Sequence, residues 1–533
     1  MERKLMNIIK AWGYTIVLII ALFTYIWVWV NITLLRLDTL NALWADLGIA
    51  MERGWLVYNN DWNLSSYLFV FFNSGILFFT FPLTIPQSFS LLLVVQTIVI
   101  GTACLPIFGI ANYFLKNNAY SAIVAALFLI YFPISGLNWY DFHYQAFFPL
   151  FFLLGYYFYL KDHKPSSFLL FFLSAIVRFP YAVFVLIFSI ILLIEKFHSK
   201  GGKFSISKET LVFPVTLLLL SAFLLIGAYQ FNGSIAYVSA TVGYGGESGL
   251  FDNFTTRIET VLYVFIPLGF LPLLSKRWFV TYIPYMALVI YVGGYGKVIP
   301  TAFHYQYTAM IAPFVFLGLI DILNKIKLHK SPTKHFCKSL RLISSHTRTI
   351  LISIIILSIF SATLFEPYSP VNKYTFDSFS NFANYEAGNA SSLGYLNQVM
   401  SYIPKNNSSV LTQFNIPEIF PRTPIVSTYP NEIYVLVSGY SALSQINNLT
   451  LSDVRNNTYN ITIFANHEFL NLNVHIYYVL AYTNSPWYFN NDPSMQDLIK
   501  LMNESGRYGT VADYKGFILL EWGYKGPIKL KDV

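Results

Sequence analysis

The chain has 533 residues, of which 55% are hydrophobic, 18% aromatic and only 11% charged. With a mean hydropathy of +0.53 it carries more apolar surface than a soluble fold can bury, so the class is a polytopic membrane protein. A net charge of +8 would point a soluble protein towards nucleic acid; here the cations concentrate in short loops between apolar runs, so a lipid bilayer is the partner and no nucleic acid is implied.

The N-terminus has a basic start and an apolar run from Trp12 to Val30 with no small-residue cleavage site, which reads as an uncleaved first helix. Further spans of about 20 apolar residues are expected at 89–114, 119–136, 144–160, 210–228, 258–274, 278–292, 306–323 and 349–365, with the first at 12–35. Two runs are ambiguous. Residues 66–83 are apolar but short, and 166–195 would be about 45 Å as one helix with Arg178 and Pro180 in its middle.

Two topologies keep the parity. In the first, 66–83 lies in the outer interface without crossing, and 166–195 makes two short crossings hinged at Arg178-Phe179-Pro180. In the second, 66–83 crosses and Arg178 is left at mid-membrane, at a cost of at least about 2.5 kcal/mol. The first is preferred. It gives about eleven crossings, a cytoplasmic N-terminus and an extracytoplasmic C-terminus. Every Asn-X-Ser/Thr triplet (Asn31, Asn63, Asn232, Asn253, Asn389, Asn406, Asn407, Asn448, Asn456, Asn460, Asn503) then faces outward. The basic clusters around Lys10, Lys200, Arg277 and Lys327 to Arg348 face inward. The domains are therefore a transmembrane part, 1–365, with an outer loop at 36–88, and an outer part, 366–533.

The outer part reads as a small α/β domain. A helix is expected over Ser392–Ile403, strands at Ser409–Gln413 and Val474–Tyr482, and a helix from a Ser494 cap to Met502. Tyr508–Tyr514 and Phe517–Trp522 flank Lys515-Gly516, a two-residue hairpin turn. The two cysteines are Cys104, in an apolar run, and Cys337, in a basic loop, so no disulfide is expected outside. Asn-, Tyr- and Ile-rich usage with many acceptor triplets fits an archaeal plasma-membrane glycoprotein.

Polar residues at the ends of apolar runs are the candidates for chemistry. Asp46 lies near the start of Trp44–Ala50, where it either caps a helix or serves a site. Asn138-Trp139-Tyr140-Asp141-Phe142-His143 joins two spans; Asp141 there is a cap or a proton acceptor, and a neighbouring carboxylate would hold His143 in one tautomer. Arg178 at the hinge suits a phosphate, because guanidinium donates to phosphate oxygens in pairs; the plainer reading is an interfacial arginine. Lys297 and His304 sit on a glycine-rich loop whose spacing matches neither a Walker loop nor a dinucleotide fingerprint. No CxxC, HExxH or GxSxG motif occurs.

Asp46-Leu47-Gly48-Ile49, Gln96, Asp141-Phe142-His143, His304-Tyr305 running to Pro313, and Ile403-Pro404 through Pro421-Arg422 together resemble a family of uncharacterised membrane proteins, domain of unknown function 2079. That family is similar in layout to the GT-C glycosyltransferases, which move a sugar from a polyprenyl-phosphate carrier to an acceptor on the outer side. The resemblance implies catalytic roles for Asp46, Asp141 and His143, carrier-phosphate binding by Arg178 and Lys297, with His304 near the substrate, and a divalent cation (Mg or Mn). Relatives often carry a Lys-Glu-Asp or Arg-Glu-Asp triplet where this chain has Val177-Arg178-Phe179-Pro180, so the cation is kept without its acidic partners. The alternatives are a transporter or flippase for a lipid-linked glycan, and a non-catalytic membrane-anchored scaffold. Charge-poor spans with polar groups gathered at the outer mouth favour the transferase over the transporter.

Overall fold

The computed structural model describes residues 2–34, 57–59, 63–65, 71–72, 74–80, 89–139, 142–198, 208–231, 254–292, 306–328, 347–366, 390–404, 410–413, 436–437, 451–465, 468–483 and 495–532. The chain divides into two compact units. One comprises Met1–Val30, Phe71–Ile76 and Val95–Ser380; the other comprises Asn31–Val70, Leu77–Val94 and Asn381–Val533. The division therefore differs from a single boundary at 365, and sheet pairing explains part of it, as described below.

The first unit is built from helices: α1 (Glu2–Leu34), α2 (Phe89–Thr102), α3 (Cys104–Leu115), α4 (Asn118–Leu129), α5 (Phe132–Trp139), α6 (Phe147–Leu160), α7 (Lys164–Ala175), α8 (Tyr181–His198), α9 (Lys208–Phe231), α10 (Phe254–Phe265), α11 (Lys276–Val292), α12 (Ala312–Leu328) and α13 (Thr347–Phe365). In an apolar medium a helix satisfies its own backbone, which is why these runs take that form. On α1 the buried Leu18, Leu22, Tyr25 and Trp29 make one stripe at helical spacing, and Ile16, Val17, Ile20, Phe23 and Trp27 are exposed on the other faces.

Among the described residues five helical stretches are long and apolar enough to cross a membrane: Gly13–Asn31, Leu91–Leu115, Leu211–Gln230, Thr308–Leu328 and Arg348–Phe365. The pair α4 and α5, bent by 50°, is either a sixth, broken span or a re-entrant loop. Among the described residues length alone thus supports fewer spans than eleven, because the other apolar helices are short or broken. The expected span 258–274 is a helix only to Phe265; Ile266–Leu268 and Leu271–Leu274 are 3-10 turns, where Pro267 and Pro272 lack the N–H that an α-helix needs. The run 166–195 is also divided. Arg178, Phe179 and Pro180 lie between α7 and α8, and Tyr181 N–H closes that turn on the Arg178 carbonyl at 2.8 Å.

One set of helix ends meets in a single polar layer. Lys327 Nζ donates to the Leu115 carbonyl at the end of α3. Lys161, following α6, lies over the rings of Tyr113 and Tyr157 at 6.0 and 5.7 Å. Arg277 of α11 donates to Glu195 of α8 at 2.8 Å and stacks on Trp278 at 4.9 Å. Asp321 of α12 accepts from Ser275 and Lys325, each at 2.6 Å. Above this layer the helices interlock through rings, with Phe152 and Phe314 4.6 Å apart and Phe171 and Phe188 4.8 Å apart.

The second unit holds two sheets. Strands β1 (Val57–Asn59) and β2 (Asn63–Ser65) of the first loop extend the antiparallel hairpin of β5 (Tyr459–Ala465) and β6 (Glu468–Val474), in the order β1-β2-β5-β6. The Leu64–Ala465 register is what ties the loop to the C-terminal chain, and no alternation in 57–65 announced it.

The other sheet adds β3 (Val410–Gln413), β4 (Leu436–Val437), β7 (Tyr478–Tyr482), β8 (Tyr508–Tyr514), β9 (Phe517–Trp522) and β10 (Leu530–Lys531), in the order β10-β8-β9-β7-β3-β4. Helix α14 (Ala390–Met400) buries Leu396, Val399 and Met400 in one core with Leu480, Val511 and Leu519. Helices α15 (Leu451–Asn456) and α16 (Met495–Ser505) complete the unit. The strand expected over Val474–Tyr482 is two: Val474 ends β6, and Tyr478 begins β7 in the other sheet. Asn457 Oδ1 holds the crossing by accepting Ile476 N–H at 2.8 Å.

Candidate functional site

Helix α5 is only eight residues long, and several polar groups along it bond to other parts of the first unit. The Pro133 carbonyl accepts from Thr308, and the Leu137 carbonyl from Gln96 Nε2. Ser135 donates to Glu366 Oε1 at 2.6 Å. Asn138 donates to the Tyr25 hydroxyl at 2.7 Å and accepts from Thr97 at 3.1 Å. Ser135, Asn138, Gln96 and Thr97 are all at or below 1% exposure, so these bonds replace water rather than compete with it.

Past α5 the chain returns at Phe142. His143, buried, gives its backbone N–H to Gln96 Oε1 at 2.5 Å, and its carbonyl accepts from Ala146 at 3.0 Å to start the 3-10 turn Tyr144–Ala146. The Tyr144 hydroxyl bonds Ser74 at 2.6 Å. Two residues on, Ile76 N–H donates to the Ile176 carbonyl at 2.9 Å, which seats the 71–76 segment against the break that carries Arg178. Gln145 is buried as well, and among the described residues its Oε1 meets no hydrogen-bond donor.

An apolar groove of about 460 Å³ adjoins this network. It is lined by Thr24, Tyr25 and Trp29 of α1, Ala126 and Leu127 of α4, and Ile355 of α13, among others. Tyr25 belongs to both: its ring lines the groove and its hydroxyl accepts from Asn138.

Of the residues singled out in the sequence, His143 and Arg178 belong to segments packed at one end of the first unit, joined by the 71–76 segment and by Phe148 against Tyr181 at 4.6 Å. Asp46, Asp141, Lys297 and His304 lie outside the described residues. Among the described residues no three of His, Cys, Asp and Glu gather as a metal site. Glu366, one residue beyond the α13 span, was not singled out. Burial pushes its carboxyl up to about 8, against the lowering effect of the Ser135 hydrogen bond. A lone acid after an apolar run reads as an interfacial charge, so its burial was not legible.

The predicted-membrane-protein family model DUF2079 matches residues 72–519. The chain belongs to that family. The match takes in the α5 network apart from Tyr25, the His143 turn, the Arg178 break and most of the second unit. No curated protein matches this DUF2079 chain.

Among solved structures, the chain is similar to ArnT from Cupriavidus metallidurans. The apo form has 10% identity and a TM-score of 0.48, over 96% of this chain and 98% of that one. The form bound to undecaprenyl phosphate has 10% identity and 0.49, over 95% and 98%. It is also similar to the archaeal oligosaccharyltransferase AglB from Archaeoglobus fulgidus, in complex with an inhibitory peptide and a dolichol-phosphate, at 11% identity and 0.33 over 95% and 75%. At these scores the likeness is loose, and the family membership does not depend on it.

Proposed function

We propose that this protein is a GT-C-like transferase that moves a sugar from a polyprenyl-phosphate carrier to an acceptor on the outer face of the plasma membrane. One observation carries the reading: the apolar groove shares Tyr25 with the buried network that ends at His143. A groove of this size and lining suits an isoprenoid chain, while a network of fixed dipoles beside it suits the headgroup. Arg178, with Lys297, would hold the carrier phosphate and offset charge on the leaving group.

Asp46 or Asp141 would take the proton from the acceptor hydroxyl, with His143 beside it. Carboxylates and an imidazole are also suitable donors for Mg or Mn, which would add positive charge at the phosphate. The chemistry on this side requires the topology with 66–83 outside, eleven crossings, and the C-terminal unit facing outward.

The test uses the full chain in nanodiscs with a polyprenyl-phosphate sugar labelled in the sugar and bearing a photoreactive group in the tail. The expected result is cross-linking to α1 and α4, release of the sugar to an outer-face acceptor, and loss of both in Ala126→Trp, which fills the groove. A correctly folded protein that neither cross-links in the groove nor transfers sugar would sink the proposal. Cross-linking followed by lipid translocation without sugar release would replace it with the flippase.

A further inference from the structure

We infer that Gln96 is the positioning residue that sets the turn carrying His143. Its carboxamide spans that turn: Nε2 donates to the Leu137 carbonyl before it, and Oε1 accepts the His143 N–H after it at 2.5 Å. Both partners are backbone groups, so the latch fixes the path of the chain rather than one side chain.

The partners also fix which way the amide lies. A carbonyl needs a donor and an N–H needs an acceptor, so the flipped amide would set like against like at both ends. Gln96 is 1% exposed and lies within the apolar stretch Leu91–Leu115, where water does not compete for either group. A carboxamide is suited to the place because it offers both polarities without charge. Thr97 repeats the arrangement one residue on, through Asn138, so α2 grips the end of α5 twice.

The catalytic meaning of this latch rests on the transferase reading above, but the latch itself is testable without it. In a full-length chain lacking Cys104 and Cys337, His143→Cys keeps the Gln96 bond, which is made to the backbone of residue 143. The buried thiol should react slowly with a small membrane-impermeant maleimide. Adding Gln96→Leu should raise the rate about tenfold or more, because two buried hydrogen bonds are lost.

Gln96→Glu gives the sharper signature. A protonated carboxyl again offers one donor and one acceptor, whereas the carboxylate offers acceptors alone. Relative to the Gln96 parent at each pH, labelling should stay slow in acid and become fast in alkali. A side chain that merely fills space predicts no such change. Cys104, fully buried eight positions further on, reports general loosening when retained in a Cys337→Ala chain with His143 intact, and should stay unlabelled in every Gln96 variant.

Unchanged labelling at 143 in Gln96→Leu, or a matching rise at Cys104, overturns the inference. In the reconstituted protein with His143 present, Gln96→Leu should lower kcat for sugar transfer and leave the donor KM unchanged. Absence of transfer in the wild type overturns the transferase reading, and the labelling result still decides the latch.

Discussion

Glu366 shows how burial alone changes what a residue does. Its carboxyl rises from an ordinary 4.5 to about 8, with desolvation the leading cause. The native state therefore holds a proton that the unfolded chain has released over that window. The stability this contributes is complete below the ordinary carboxyl range, declines as pH rises, and is lost as pH passes 8. A glutamine in its place would keep an acceptor for Ser135 and mimic the protonated acid. Glu366→Gln should therefore melt with the wild type near pH 4 and a few degrees above it at pH 9, read by thermal unfolding in detergent. Parallel profiles at the two pH values would remove Glu366 as the titrating group. The same residue marks the limit of reading this site from sequence. His143 and Arg178 stood out as polar residues at the ends of apolar runs. Glu366 did not, because the Ser135 that binds it lies 231 positions away and no local pattern joins them.

Helix existence was legible because periodicity and apolar length are local properties. The 515–516 turn was too: Lys515 and Gly516 both take positive φ, 51° and 84°, as a two-residue turn matching strand twist requires. Breaks inside apolar runs and pairings between distant strands were less so, since both depend on what packs alongside. The seating of Phe72 on α9 is one such pairing. Gly227 leaves so little room that a Cβ there would come within 2.0 Å of the Phe72 ring, and Phe72 packs edge-on to Phe223 at 5.6 Å. Gly227→Ala should then displace Phe72 and with it the segment whose Ile76 N–H bonds Ile176. The expected loss is about 1–3 kcal/mol, as for other overpacked cores. Gly227→Ala with Phe72→Leu should recover part of that loss, because the smaller side chain clears the new methyl. Additive melting losses in the double mutant would show that the two residues are not coupled.

At the scale of the whole chain, the two units sort two kinds of residue. Asn31, Asn63, Asn389, Asn406, Asn407, Asn448, Asn456, Asn460 and Asn503 belong to the second unit, and Asn232 and Asn253 to the first. The polar layer of Lys327, Lys161, Arg277, Glu195 and Asp321 belongs wholly to the first. Glycan acceptors belong outside and short basic loops inside, so the layer should face the cytoplasm and the second unit the exterior. Asp162 adjoins that layer with its side chain 83% exposed, and Lys515 of the second unit is 47% exposed. In a chain lacking native cysteines, Asp162→Cys should react with an impermeant reagent only after permeabilisation. Lys515→Cys and Arg178→Cys should react in intact cells. The Asp162 position discriminates between the topologies, since a crossing at 66–83 would carry it outside while leaving Arg277 and Lys327 within. The Lys327 bond to the Leu115 carbonyl would then have to be made across the bilayer. Labelling of the Asp162→Cys chain in intact cells would therefore contradict the helix packing as well as the loop charges, and the outward-facing site would lose its basis.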